Sequence, residues 1–100
     1  MISGEVAEKW GHELREIFEG RKASSVRITV TYADGGIGRF SLESAYLCPD
    51  AFALMDKDRR VIIIFTTEHF TYEEIIDAII SSIERYTQTE LIDIKIEIGG

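Results

Sequence analysis

Val61-Ile62-Ile63-Ile64-Phe65-Thr66-Thr67-Glu68-His69-Phe70-Thr71-Tyr72-Glu73-Glu74-Ile75-Ile76 changes period halfway through, and that change decides the fold. Its first part is a short, uninterrupted apolar run rich in β-branched residues, which reads as a strand buried on both faces. Its second part opens a helix. Thr71 and Glu74 have the spacing of a capping box, and Phe70 with Ile75 that of a hydrophobic staple. Ile75, Ile76, Ile79, Ile80, Ile83 and Tyr86 then recur at helical spacing as its core stripe.

Downstream, Thr87-Gln88-Thr89-Glu90 reads as a linker. Ile92, Ile94, Ile96 and Ile98 alternate with Asp93, Lys95 and Glu97 in a final strand. Upstream, Arg60 to Thr66 pairs by pattern with Ala51 to Met55 through a turn at Asp56-Lys57-Asp58-Arg59, and Cys48-Pro49-Asp50 breaks the strand before it. Val26 to Tyr32 alternates strictly and reads as a half-buried strand. A three-residue loop with Gly36 left-handed would set Val30 opposite Phe40 and Ile28 opposite Leu42, all on one face, with the second strand running from Ile37 to Leu47. At the start, Ser3 can cap a helix over residues 4–18. Val6, Trp10, Leu14 and Ile17 form its stripe, Gly20 ends it, and Arg21 and Lys22 suit its negative end.

The order is therefore helix, four strands, helix, strand, in a single domain spanning residues 1–100. It implies an α+β fold with a mixed, mainly antiparallel sheet and the helices on one face; the closing strand–helix–strand unit favours a right-handed crossover between parallel strands. Two helices cover about one face of a five-stranded sheet, so the apolar surplus of Val61–Phe65, Leu47, Phe52 and Leu54 needs other cover. A homodimer supplies it; a monomer whose 47–55 segment folds over the sheet is the alternative.

The Asn-free, Ile- and Glu-rich composition, the strand Val61–Phe65 and the strand Ile92–Ile98 resemble the small acidic orphan α+β proteins of hyperthermophilic archaea, some of which form dimers with interdigitated strands. That resemblance implies an intimate homodimer and transfers no catalytic residue.

Composition narrows the function. The formal charge is −7, and from Glu68 onward eight acids face two bases. Such a balance makes direct nucleic-acid binding the least expected role, although Lys57, Arg59 and Arg60 form a compact basic cluster. A single cysteine, Cys48, excludes an intramolecular disulfide and a Cys-rich metal knuckle, and no neighbouring His activates it. No apolar run approaches a membrane span, and Met1 to Glu5 lacks the features of a secretory signal, so a cytoplasmic setting is expected.

No phosphate loop, dinucleotide glycine pattern, zinc-protease motif or nucleophile elbow occurs. Gly35-Gly36-Ile37-Gly38 opens a strand rather than a helix and reads as turn chemistry. Glu68 and His69, followed by Glu73 and Glu74, form the best acid/base or metal candidate, since His titrates near neutrality and loops at strand ends carry function. No second His lies within ligand spacing, so no metal and no cofactor are assigned; Asp56 and Asp58 read as a turn.

The foremost expectation is thus a non-catalytic homodimer that binds a basic protein through Glu73, Glu74, Asp77 and Glu84 on the outer face of the second helix. The alternative is a small enzyme or ligand binder using His69 and Glu68 at a dimer interface.

Overall fold

The computed structural model describes residues 2–20, 25–44 and 51–99. Its elements are α1 (Gly4–Glu19), β1 (Ser25–Tyr32), β2 (Ile37–Ser44), β3 (Ala51–Asp56), β4 (Val61–Thr66), α2 (Tyr72–Thr87) and β5 (Leu91–Ile98). The α+β order is the one expected. Arg21, Lys22, the end of the expected second strand and Cys48-Pro49 lie outside the described residues. No described helix is long and apolar enough to cross a membrane.

The sheet has the order β4-β3-β2-β1-β5, and each neighbouring pair is antiparallel. The strands flanking α2 do run in the same direction, but they occupy opposite edges, so no parallel neighbours arise. β5 pairs with the first strand of the chain and leaves β4 as the other edge.

Both helices start on their expected caps. The Val6 amide donates to the Ser3 hydroxyl at 3.4 Å. In α2 the capping box is complete, with Glu74 N–H donating to Thr71 Oγ1 at 3.2 Å and Thr71 N–H to Glu74 Oε1 at 3.0 Å. Phe70, the expected staple, is exposed. The core lies between the helix pair and one sheet face. Leu14 and Ile17 of α1 and Ile75, Ile76, Ile79 and Ile83 of α2 meet Val26, Ile28, Val30, Leu42, Leu54 and Ile94. Phe52 and Leu54, expected to need separate cover, belong to this core, and Phe18 packs on Phe52 with ring centroids 4.3 Å apart. Where the helices meet, Gly11 is buried; a Cβ there would sit 3.0 Å from the backbone of Glu73, so a side chain would push the helices apart.

Three expectations are corrected. The β1–β2 loop does have three residues, but they are Ala33-Asp34-Gly35, and Gly35 carries the left-handed φ of 91°. The register is Val30↔Gly38, Ile28↔Phe40 and Val26↔Leu42. Sliding the loop by one residue moves the register by two and keeps the apolar side chains on one face. The Asp34 carboxylate selects this loop by accepting the Gly36 N–H at 2.8 Å. Second, β5 starts at Leu91, which is fully buried, whereas Ile92 is exposed at an irregularity opposite Thr31 and Tyr32. Glu84 accepts the Leu91 N–H at 3.0 Å and Glu90 O accepts the Ala33 N–H at 2.8 Å, so the chain enters the sheet one residue early.

Third, Val61–Phe65 is not buried on both sides. Phe65 is buried and Ile62 packs partly against the core, but Val61, Ile63 and Ile64 are 56%, 37% and 58% exposed. The run is a sheet edge.

The sheet's second face divides in two. Over β5, β1 and β2 it is polar, with Glu97 facing Arg27 at 3.9 Å and Lys95 at 3.5 Å. Over β3 and β4 it is apolar, because ladder partners share a face and Ala53 pairs with Ile64, Met55 with Val61.

Candidate functional site

Each side chain singled out in the sequence has a definite place. Glu68 and His69 are exposed in the turn after β4. No described group of three or more His, Cys, Asp or Glu residues is placed to hold a metal ion. The acids of α2 are largely engaged within the chain. Glu74 closes the capping box, Glu84 holds Leu91, and Glu73 packs over Gly11 with Oε1 3.9 Å from His12 Nε2. Glu74 and Asp77 are exposed, and Glu73 and Glu84 are half-buried. Trp10 packs against the core, with Lys9 Nζ 4.9 Å from its ring centroid.

Among the described residues, a candidate site lies elsewhere, in a cleft of about 550 Å³ between the β1–β2 hairpin, the β3–β4 turn and the last turn of α2. Tyr32, Gly38, Phe40, Asp56, Arg60 and Tyr86 line it, among others. The alternation of β2 places Phe40 on the helix side and makes Gly38, two residues earlier, the floor beside it. Tyr32 lies across that floor, since a Cβ on Gly38 would overlap the Tyr32 hydroxyl. A side chain at this position would push the Tyr32 ring aside.

The opposite wall is organised by Asp56. Its Oδ1 accepts the N–H groups of Asp58 at 2.8 Å and Arg60 at 2.9 Å, while Oδ2 accepts the Tyr86 hydroxyl at 2.8 Å. The Arg60 amide, then the Tyr86 hydroxyl, hold the Asp56 carboxyl below its ordinary pKa. The same hydrogen bond to an anion raises the Tyr86 phenol. Burial raises the Tyr32 phenol, against a lowering hydrogen bond with Thr87. The turn itself needs Arg59 in the left-handed region at φ 63°, and its guanidinium reaches back to Glu43 at 3.0 Å.

By its spacing Tyr86 belongs to the core stripe, and Asp56 to a plain turn. Tyr86 does continue the α2 stripe, but the stripe passes the end of the sheet there and the ring emerges into the cleft, 47% exposed. Only the pairing of β3 with β2 brings Asp56 under it. No family model, curated protein or solved structure matches the chain.

Proposed function

We propose that the chain acts as a non-catalytic homodimeric interaction protein, joined by antiparallel pairing of β4 with β4 of a second copy. The observation that carries this reading is the contrast between the two sheet edges. β5 bears Asp93, Lys95 and Glu97, the charges that keep an edge from pairing. β4 bears none, and three of its aliphatic side chains are at least one-third exposed. Covering each would contribute roughly 1 kcal/mol, about half the value for full burial of such a residue.

Charge favours one register. A two-fold axis sets some residue of β4 opposite itself. With Ile64 on the axis, Arg60 stands opposite the partner's Glu68. With Ile63 there, Asp58 would oppose the partner's Glu68, like against like. The adjoining apolar strip at Ala53 and Val61 would also lie next to the partner.

The dimer would carry twice the −7 charge of the chain. A net field of that sign steers a basic macromolecule toward it and repels nucleic acid, with a strength that falls as salt rises. The Asn-free, Glu-rich composition supports a source that lives at high temperature. Ile64→Lys tests the assembly: it should yield a folded monomer, whereas an unchanged dimer would exclude β4 as the joint.

A further inference from the structure

We infer that the cleft between Tyr32 and Tyr86 is a binding site for a small, uncharged, flat nitrogen heterocycle that presents both N–H donors and ring-nitrogen acceptors. The inference is independent of the dimer, because the cleft is complete within one chain.

Shape comes first. A space of about 550 Å³ falls within the range of small-ligand sites, roughly 300–1,000 Å³. Three aromatic side chains, Tyr32, Phe40 and Tyr86, line it beside the Gly38 floor. Rings of this kind recognise other rings by offset or edge-to-face contact.

Charge comes second. Asp56 and Asp58 are balanced by Lys57 and Arg60 in the same lining. Arg39 also borders the cleft, but its ladder partner is Thr29, on the sheet's other face. With acids and bases so nearly matched in the lining, a neutral body fits while avoiding the desolvation cost of an ion.

Hydrogen-bonding polarity comes third. The Tyr86 proton is already given to Asp56 and the Arg60 side chain donates to the phenol oxygen, which keeps one acceptor position for a ligand. Among the described residues Asp56 Oδ2 takes one bond, from Tyr86, and so has acceptor capacity to spare. With Lys57 and Arg60 supplying donors beside these acceptors, the wall suits a ring that carries both N–H donors and ring-nitrogen acceptors. A nitrogen heterocycle meets that demand, and an apolar ring of equal size does not.

The test is amide-resolved NMR of the full native chain titrated with adenine, and in parallel with benzoate and toluene as charged and apolar rings of similar flatness. Adenine should shift the amides of Gly38, Asp58 and Arg60 and leave those of α1 unmoved. Benzoate and toluene should bind at least tenfold more weakly. Tyr86→Leu, which removes both ring and acceptor, should weaken adenine at least tenfold while the remaining amides keep their positions. Absence of shifts at millimolar adenine, shifts centred elsewhere, or benzoate or toluene binding as well as adenine would each overturn the inference. Mapping on the native chain decides the matter even if the variant does not fold.

Discussion

The Tyr86 hydroxyl donates to Asp56 Oδ2 at 2.8 Å, across 30 residues of sequence, and ties the last turn of α2 to the β3–β4 turn. Asp56 in turn holds two amides of its own turn, so one carboxylate joins helix, hairpin and cleft. The bond is on the surface and charge-assisted, and its proton balance makes it sensitive to pH.

Tyr86→Phe should lower the melting temperature and let the Asp56 pKa return toward its ordinary value. Because the folded Asp56 pKa lies below the ordinary 3.8, its contribution is present above pH 3.8 and is lost as pH falls through the lower folded value. The Tyr86 phenol is raised, so its contribution is full below pH 10.0 and is lost as pH rises through its folded value. Denaturation of native chain and variant across pH should show their difference widest between these limits and shrinking at the acid end. A difference independent of pH would remove Asp56 from the explanation.

Gly11→Ala pits helix propensity against packing. Alanine gains about 1 kcal/mol in a helix interior. The new Cβ would sit 3.0 Å from Glu73 Cα and N, and forcing backbone apart costs about 1–3 kcal/mol. Net destabilisation of about 1 kcal/mol is expected in urea denaturation. Gly4→Ala, where nothing lies within 4 Å, is the control and should not destabilise.

Two non-glycine residues with positive φ should respond differently to glycine. Gln88, at φ 55°, ends α2 in the left-handed conformation that favours glycine at such positions. Gln88→Gly should stabilise the chain by about 1 kcal/mol, the relief of left-handed strain. Arg59, at φ 63°, would gain similarly but lose its exposed ion pair with Glu43, worth about 0–1 kcal/mol, so Arg59→Gly should be nearly neutral. Thermal or chemical denaturation of both variants checks the contrast.

Much of the architecture was legible before the structure, and the parts that were not share a cause. Helix starts at Ser3 and Thr71 depend on local chemistry and were readable residue by residue. The alternation of Val26–Tyr32 correctly predicted a one-face pairing with the second strand, but a shift of two residues preserves that face, and choosing between registers needed the Asp34 side chain. Leu91 displaced Ile92 from the core because Glu84 and Ala33 hold the chain beside it, a long-range effect with no periodic signature. The run Val61–Phe65 looks the same in sequence whether a sheet or a second copy covers it. The cleft was invisible for a similar reason: Gly38, Asp56 and Tyr86 are ordinary singly and meet only through β2–β3 pairing and the length of α2.

The β4 edge is most directly examined by light scattering across dilution, with a denaturation curve at each concentration, on the native chain and on Ile64→Lys. The native chain should show twice the mass of the 11.3 kDa chain and a stability that rises with concentration, while the variant should remain folded at 11.3 kDa with a stability independent of it. A native chain that is monomeric at every concentration, as stable as the variant, would contradict pairing through β4.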